Sequence, residues 1–321
     1  MILKPSNDGT EDIVKKYEKQ LKINLIFQNQ GYFVDALNLG LKFAHGNIIA
    51  FLDDDAIPFS DWIQKHVETY RGPSVGGVSG NVIPATLKGE NAIPIMGKVS
   101  EIIPNYKPFL DSIGRKVWNR PLEGLEDYLV YVSKAGVVGY NFNMSNLAWC
   151  QTTKSLLGMG ANMSVLARVV TDFKFPNSWI LGLTNEQFLG WYVWKQGYDL
   201  VFNPNAKVHH LTHRQTLSRS IEENTKEILR RVEYELLFYR LYGLERGLSK
   251  MHRITWLIFS ALVDLKKICK DKDLRRVIKL KGKFLGNILG AKWLLSKKLG
   301  SSYTPIEDLK EIVKRRKKTP C

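Results

Sequence analysis

The sequence predicts an α/β fold with a buried, mostly parallel sheet, followed by a basic helical region. Three observations carry this. Helix-like and strand-like patterns alternate from Ser6 to Pro84. A five-residue apolar run, Ile48 to Leu52, ends abruptly in Asp53, Asp54 and Asp55. So short and apolar a run suits a strand covered on both faces. Finally, the charge is uneven. Of the net +16, the residues from Arg214 onward hold 27 Lys and Arg against 12 Asp and Glu, a net of +15.

At 321 residues, 44% hydrophobic and 24% charged, the chain is long enough to bury a full core. Its elements run in order along the chain. Turn residues Ser6 to Gly9 and acids Glu11 and Asp12 open a helix through Ile13, Val14 and Tyr17. Ile23 to Phe27 is a short strand, and Val34 to Ala44 a helix stopped at Gly46. After Pro58, Asp61 looks like the N-cap of a helix from Trp62 to Tyr70. Val75 to Pro84, rich in glycine, is a strand with close backbone packing. Lys88 to Leu157 lacks clear periodicity and suits short strands and loops. Gly158 to Ser164 is a glycine-rich turn. Asn185 to Gln196 is a Trp- and Tyr-rich helix ending at Gly197. Asp199 to Phe202 is a strand, with Ala206 to His210 after it. From Arg214 the pattern is helical: Ile221 to Tyr242, Leu244 to Lys270, Leu274 to Leu299 and Glu307 to Lys318. The organisation expected is residues 1–213 as one domain and 214–321 as a basic amphipathic helical region.

Carboxylates at the carboxyl end of a buried strand lie where open α/β sheets bind ligands. Hard oxygen donors there suit Mg²⁺ or Mn²⁺, which commonly hold substrate phosphates. The other reading of Asp53, Asp54 and Asp55 is a solvated turn. Cys150, Cys269 and Cys321 are widely spaced, so neither a disulfide framework nor a zinc site is indicated, and a reducing compartment is expected. Met1 to Asn7 has no signal-peptide pattern. The apolar stretch from Ile254 to Leu265 is too short to span a bilayer.

Several motifs, in this order, resemble the family 2 glycosyltransferases with the A-type glycosyltransferase fold. They are Asp8 to Tyr17; Asn29, Gln30 and Gly31 with Ala36 to Gly40; Leu52 to Asp55 as an Asp-x-Asp motif; Gly160 to Ser164; and Asn185, Glu186 to Gly197, Tyr198 with Pro204, Ala206, Val208 and His210. The resemblance covers roughly residues 5 to 213. It implies a mostly parallel nucleotide-diphospho-sugar transferase sheet flanked by helices. It also implies metal-dependent, inverting transfer of a sugar from a nucleotide-sugar donor to an acceptor. By it, Asp55 and Asp53 ligate the metal with His210, and Asp8, Asn38, Asp53 and Asp55 contact the donor. Glu186 is the general base, standing where the family carries Asp, in an Asn-Glu pair instead of Glu-Asp. Asn162 and Trp191 face the acceptor. The sequence departs from the family at its start. Lys4, Pro5 and Ser6 replace acids, the family's first strand and helix have no counterpart, and an exposed sheet edge is expected.

The basic region suits an anionic membrane surface, with Phe284, Leu285, Ile288, Leu289 and Trp293 inserted. The acceptor expected is then lipid-linked or a polysaccharide, for a peripheral protein on the cytoplasmic membrane face. Two alternatives stay open. One is a catalytically inactive relative that binds a sugar or partner at the membrane. The other is a basic nucleic-acid-binding protein, although no nucleic-acid-binding motif is present.

Overall fold

The computed structural model describes residues 1–6, 8–89, 91–95, 116–158, 160–211, 222–273 and 275–316. The expected loop region over 96–115 and the basic tail from Lys317 lie outside the described residues.

The N-terminal half alternates strand and helix: β1 (Ile2–Leu3), α1 (Thr10–Tyr17), β2 (Ile26–Phe27), α2 (Phe33–Phe43), β3 (Ile48–Leu52), β4 (Ala56–Pro58), α3 (Trp62–Thr69), β5 (Val75–Lys88) and β6 (Asn91–Pro94). Then come β7 (Val130–Val132), β8 (Val138–Tyr140), α4 (Ser145–Cys150), β9 (Thr153–Lys154), β10 (Asn162–Leu166), α5 (Asn185–Lys195) and β11 (Asp199–Leu211). Four helices close the described chain: α6 (Glu223–Leu241), α7 (Lys250–Asp271), α8 (Arg275–Lys298) and α9 (Ile306–Arg316).

The main sheet has seven strands in the order β3-β10-β5-β11-β4, with β6 on β5 and β9 on β11. The α/β class is as expected, but the pairing is more mixed than the mostly parallel sheet anticipated. Only β5 and β11 pair in parallel within this sheet. β10 runs antiparallel between β3 and β5. The glycine-rich stretch from Gly158 therefore leads into a central strand and is not merely a turn. Reading it as a turn missed Met163 and Val165, both buried. β1 and β2 form their own parallel pair.

β3 is not buried on both faces. Among the described residues it pairs with β10 alone, and Leu52 is exposed. Nor does the Asp61 side chain cap α3. α2 is held instead by Asp35, whose carboxylate accepts the Tyr32 N–H at 2.7 Å. Glycine is required at Gly80, where a Cβ would strike the Ala206 carbonyl and the Asn162 amide.

The main apolar cluster gathers Leu156, Leu157, Met163, Phe175, Trp179, Leu189 and Leu200 from the sheet strands, α5 and their connections. Leu237 and Leu241 of α6 belong to it. The same helix contributes Ile228, Leu229, Val232 and Leu236 to a second cluster with Ile180, Leu289, Trp293 and Leu309. α6 thus lies between the sheet and the other helices, buried on two sides. α8 packs against it through Gly282, Gly286 and Gly290. A Cβ on Gly286 would lie 2.8 Å from Glu235 Cβ and 3.0 Å from Val232 Cα.

Helix α6 has no room to yield at its own backbone. Gly286→Leu is therefore expected to lower stability by about 2 kcal/mol or more, despite the better helix propensity of Leu. Urea denaturation checks this, and an unchanged midpoint would refute the close packing.

Candidate active site

The acids after β3 and the end of β11 meet through strand register. β4 returns along β11, pairing Ala56 with His210, and the Leu211 N–H donates to the Asp55 carbonyl at 2.8 Å. Side chains of Asp55 and His210 consequently lie 3.2 Å apart, Oδ1 to Nε2. Asp53 completes the group, and one ligand atom from each of the three residues lies within 4.8 Å of the others. All three are half-buried, whereas Asp54 points outward and is exposed. Burial pushes the Asp53 carboxyl up to about 6, and the neighbouring Asp55 charge adds to this. Two carboxylates and an imidazole converging at one point offer a donor set that fits a hard divalent cation.

Glu186 sits in the first turn of α5. Burial raises its carboxyl to about 7, opposed by its own N–H and by Gln187, and the Asp53 charge raises it further. Although the residue keeps some surface, its carboxyl is closely surrounded by protein. The turn entering α5 is strained: Thr184 has φ 66°. Thr184 Oγ1 and Asn185 Oδ1 are buried there without hydrogen-bond partners.

This turn is fixed from below by α6. The buried Glu233 carboxylate accepts the N–H groups of Ile180 at 2.6 Å, Leu181 at 2.8 Å and Leu183 at 3.0 Å. Its burial raises it to about 7 against these three donors and the Gly182 N–H. One helical turn along from Leu236, Arg240 donates to Ser178 and to the Pro176 carbonyl.

Two tyrosines that sequence reasoning missed share the Glu186 surroundings. Tyr140, at the end of β8, is raised to about 12 by burial, then by Tyr234 and Glu186. Tyr234, on α6, is raised by burial and then by Glu186. Tyr140 lies in the stretch without periodicity, and Tyr234 reads as one more position of an amphipathic helix. Neither carried a sequence signal.

Of the remaining expected site residues, Asn162, Trp191 and Asn38 are built into the scaffold, and Asp8 is not. Asn162 is fully buried, so it does not face an acceptor. Its Oδ1 accepts from Trp62 Nε1 at 2.8 Å and lies 2.9 Å from His66 Nε2. Its amide donates to the carbonyls of Asn81 and Ala206. No atom of this side chain is left for a ligand. Trp191 is buried in the main cluster and donates to Glu245 Oε2 at 3.0 Å, which corrects the acceptor-stacking role. Asn38 closes a two-way bond with the Phe175 backbone, at 2.8 Å and 2.7 Å, tying α2 to the segment before α5. Asp8 is exposed, and hydrogen bonds to Thr10 and Ser6 lower its carboxyl to about 2.

The chain is similar to known proteins in both sequence and fold. Residues 4–116 match the family model described as glycosyl transferase family 2. Over 80 residues the chain is 36% identical to glycosyltransferase AglE of Haloferax volcanii, covering 24% of this chain and 26% of that protein. Over 71 residues it is 35% identical to validoxylamine A glucosyltransferase of Streptomyces hygroscopicus subsp. jinggangensis, 22% of this chain and 17% of that protein. The matches thus span about a quarter or less of each relative. Among solved structures, GalNAc-T7 with UDP, GalNAc and Mn²⁺ superposes with a TM-score of 0.52 at 10% identity, over 92% of this chain and 51% of that one. That likeness establishes an A-type glycosyltransferase fold. Asp53 and Asp55 fall inside the family match, while Glu186 and His210 lie beyond it.

Asn162→Ala would leave Trp62, His66 and two carbonyls unpaired in the core. It is expected to cost about 3 kcal/mol in chemical denaturation. A stable variant with a changed acceptor KM would instead restore the acceptor role.

Proposed function

From the match of residues 4–116 to the glycosyl transferase family 2 model, we propose that the chain transfers a sugar from a nucleotide-sugar donor to an acceptor, with inversion. The observation that carries this reading is the pairing of the Asp53, Asp55 and His210 group with a carboxyl held near neutrality at Glu186. Asp55 and His210, with Asp53, would hold Mg²⁺ or Mn²⁺ against the donor diphosphate. A divalent ion bound there neutralises the charge that grows on the leaving nucleoside diphosphate. Glu186 takes the proton from the attacking acceptor hydroxyl, and the new bond forms at the anomeric carbon as the bond to the diphosphate breaks. A carboxyl near 7 is well matched to that proton transfer. Tyr140 and Tyr234, both exposed and both coupled electrostatically to Glu186, are the residues we propose to contact a sugar.

The acceptor we propose is lipid-linked or a growing glycan, reached at the cytoplasmic face of a membrane. The net +15 from Arg214 onward supports this. A second reading, a non-catalytic relative that binds sugars, is favoured by one departure: Asn185 and Glu186 stand where the family carries a Glu-Asp pair.

Calorimetric titration of UDP, then GDP, with and without Mn²⁺ tests the donor site. Metal-dependent binding of one nucleotide is expected, and Asp55→Ala should abolish it; binding of equal strength without metal would sink the assignment. Glu186→Gln should retain nucleotide binding and lose about 10²-fold or more in kcat. The base must be ionised to act. The free-enzyme kcat/KM is therefore expected to fall about tenfold per pH unit below about 7 and to level off above it. A profile flat from pH 5 to 8 would remove Glu186 from the proton transfer. Turnover by the wild type excludes the second reading.

A further inference from the structure

Helix α7 is inverted relative to an ordinary surface helix. Its buried residues are charged: Arg253 and Asp264. Arg253 pairs with Glu235 of α6 at 2.5 Å, and Asp264 pairs with Lys283 at 2.5 Å and Arg276 at 3.2 Å, both on α8. The opposite side is apolar. Met251, Ile254, Ile258, Leu262 and Leu265 recur at helical spacing on one face, each 45% to 68% exposed. A helix that merely capped an enzyme would turn this face inward and its charges outward.

Lys266, Lys267 and Lys270 are exposed at the end of the same helix, and none forms an ion pair among the described residues. On α8, Val277, Phe284 and Ile288 form a second exposed apolar face with Lys281. Leu289 and Trp293, expected in contact with lipid, are buried against α6 instead. No helix among the described residues is long and apolar enough to cross a membrane.

We infer that the Met251–Leu265 face of α7 lies on an anionic lipid surface, its apolar side chains in the headgroup boundary and its lysines on the phosphates. Charge complementarity selects this occupant. A second copy of the chain would bring two segments of net +15 together, whereas anionic headgroups neutralise them. The surface is independent of sugar transfer and survives the loss of nucleotide binding.

The test is co-sedimentation of the full chain with vesicles of equal parts phosphatidylglycerol and phosphatidylcholine, against phosphatidylcholine alone. The wild type is expected to pellet with the anionic vesicles, less so as salt is raised. Ile258→Glu with Leu262→Glu changes two exposed positions and is expected to keep the wild-type melting temperature while partitioning about tenfold less or weaker still. Ile63→Glu, equally exposed on α3, is the control and should pellet like the wild type. Three results overturn the inference. The wild type stays in the supernatant, the double variant pellets as well as the control, or sedimentation analysis finds a wild-type dimer that the double variant splits.

Discussion

The arrangement rests on one buried carboxylate. Glu233, in the middle of α6, accepts three backbone N–H groups from the segment that leads into α5. Without it, those donors would be stranded in an apolar cluster between the sheet and the helices. With it, the chain enters α5 at one angle, and Glu186 opens that helix close enough to Asp53 to feel its charge. Arg240 donates to Ser178, and Asn38 both donates to the Phe175 carbonyl and accepts its N–H, holding the same segment. A strained turn at Thr184 needs this support in addition to its own Asn185 bond to the Gly182 carbonyl, because a non-glycine residue is costly to hold at positive φ.

This dependence also gives the basic third two separate duties. The inner side of α6 and the glycine face of α8 pack as a core, through Leu229, Val232, Leu236, Leu289 and Trp293. The outer charge belongs mainly to α7, α8 and α9. Burying Arg253 and Asp264 as ion pairs is an expensive way to seat a helix unless its apolar face is reserved for something else. The buried pairs fix which way α7 faces, and so which side chains are left outside.

Much of the fold was legible in the sequence. Alternating patterns from Ser6 to Pro84 located α1, α2, β3, α3 and β5 closely, because each is a regular amphipathic or apolar run with turn residues at its ends. The misses have local causes. β10 lies behind Gly158 and Gly160, and glycines read as a turn when the strand they introduce is only five residues long. The run from Ile48 to Leu52 reads as doubly buried because composition reports apolarity and not neighbours, and β3 has a strand on one edge only among the described residues.

For the site, the sequence already singled out Asp53, Asp55 and His210, which the fold brings within reach of one another. Asp53 and Asp55 follow a strand abruptly, and Glu186 opens a helix; those features are local, so order along the chain suffices to find them. Which polar residues are bound into the scaffold follows from contacts between distant segments. Asn162 and Asn38 have the same chemistry as ligand-binding amides, yet their partners lie from 44 to 139 residues away. Trp191 likewise differs from a stacking platform only by what covers it. Burial and hydrogen-bond saturation arise from contacts between distant segments, and no spacing within one segment encodes them.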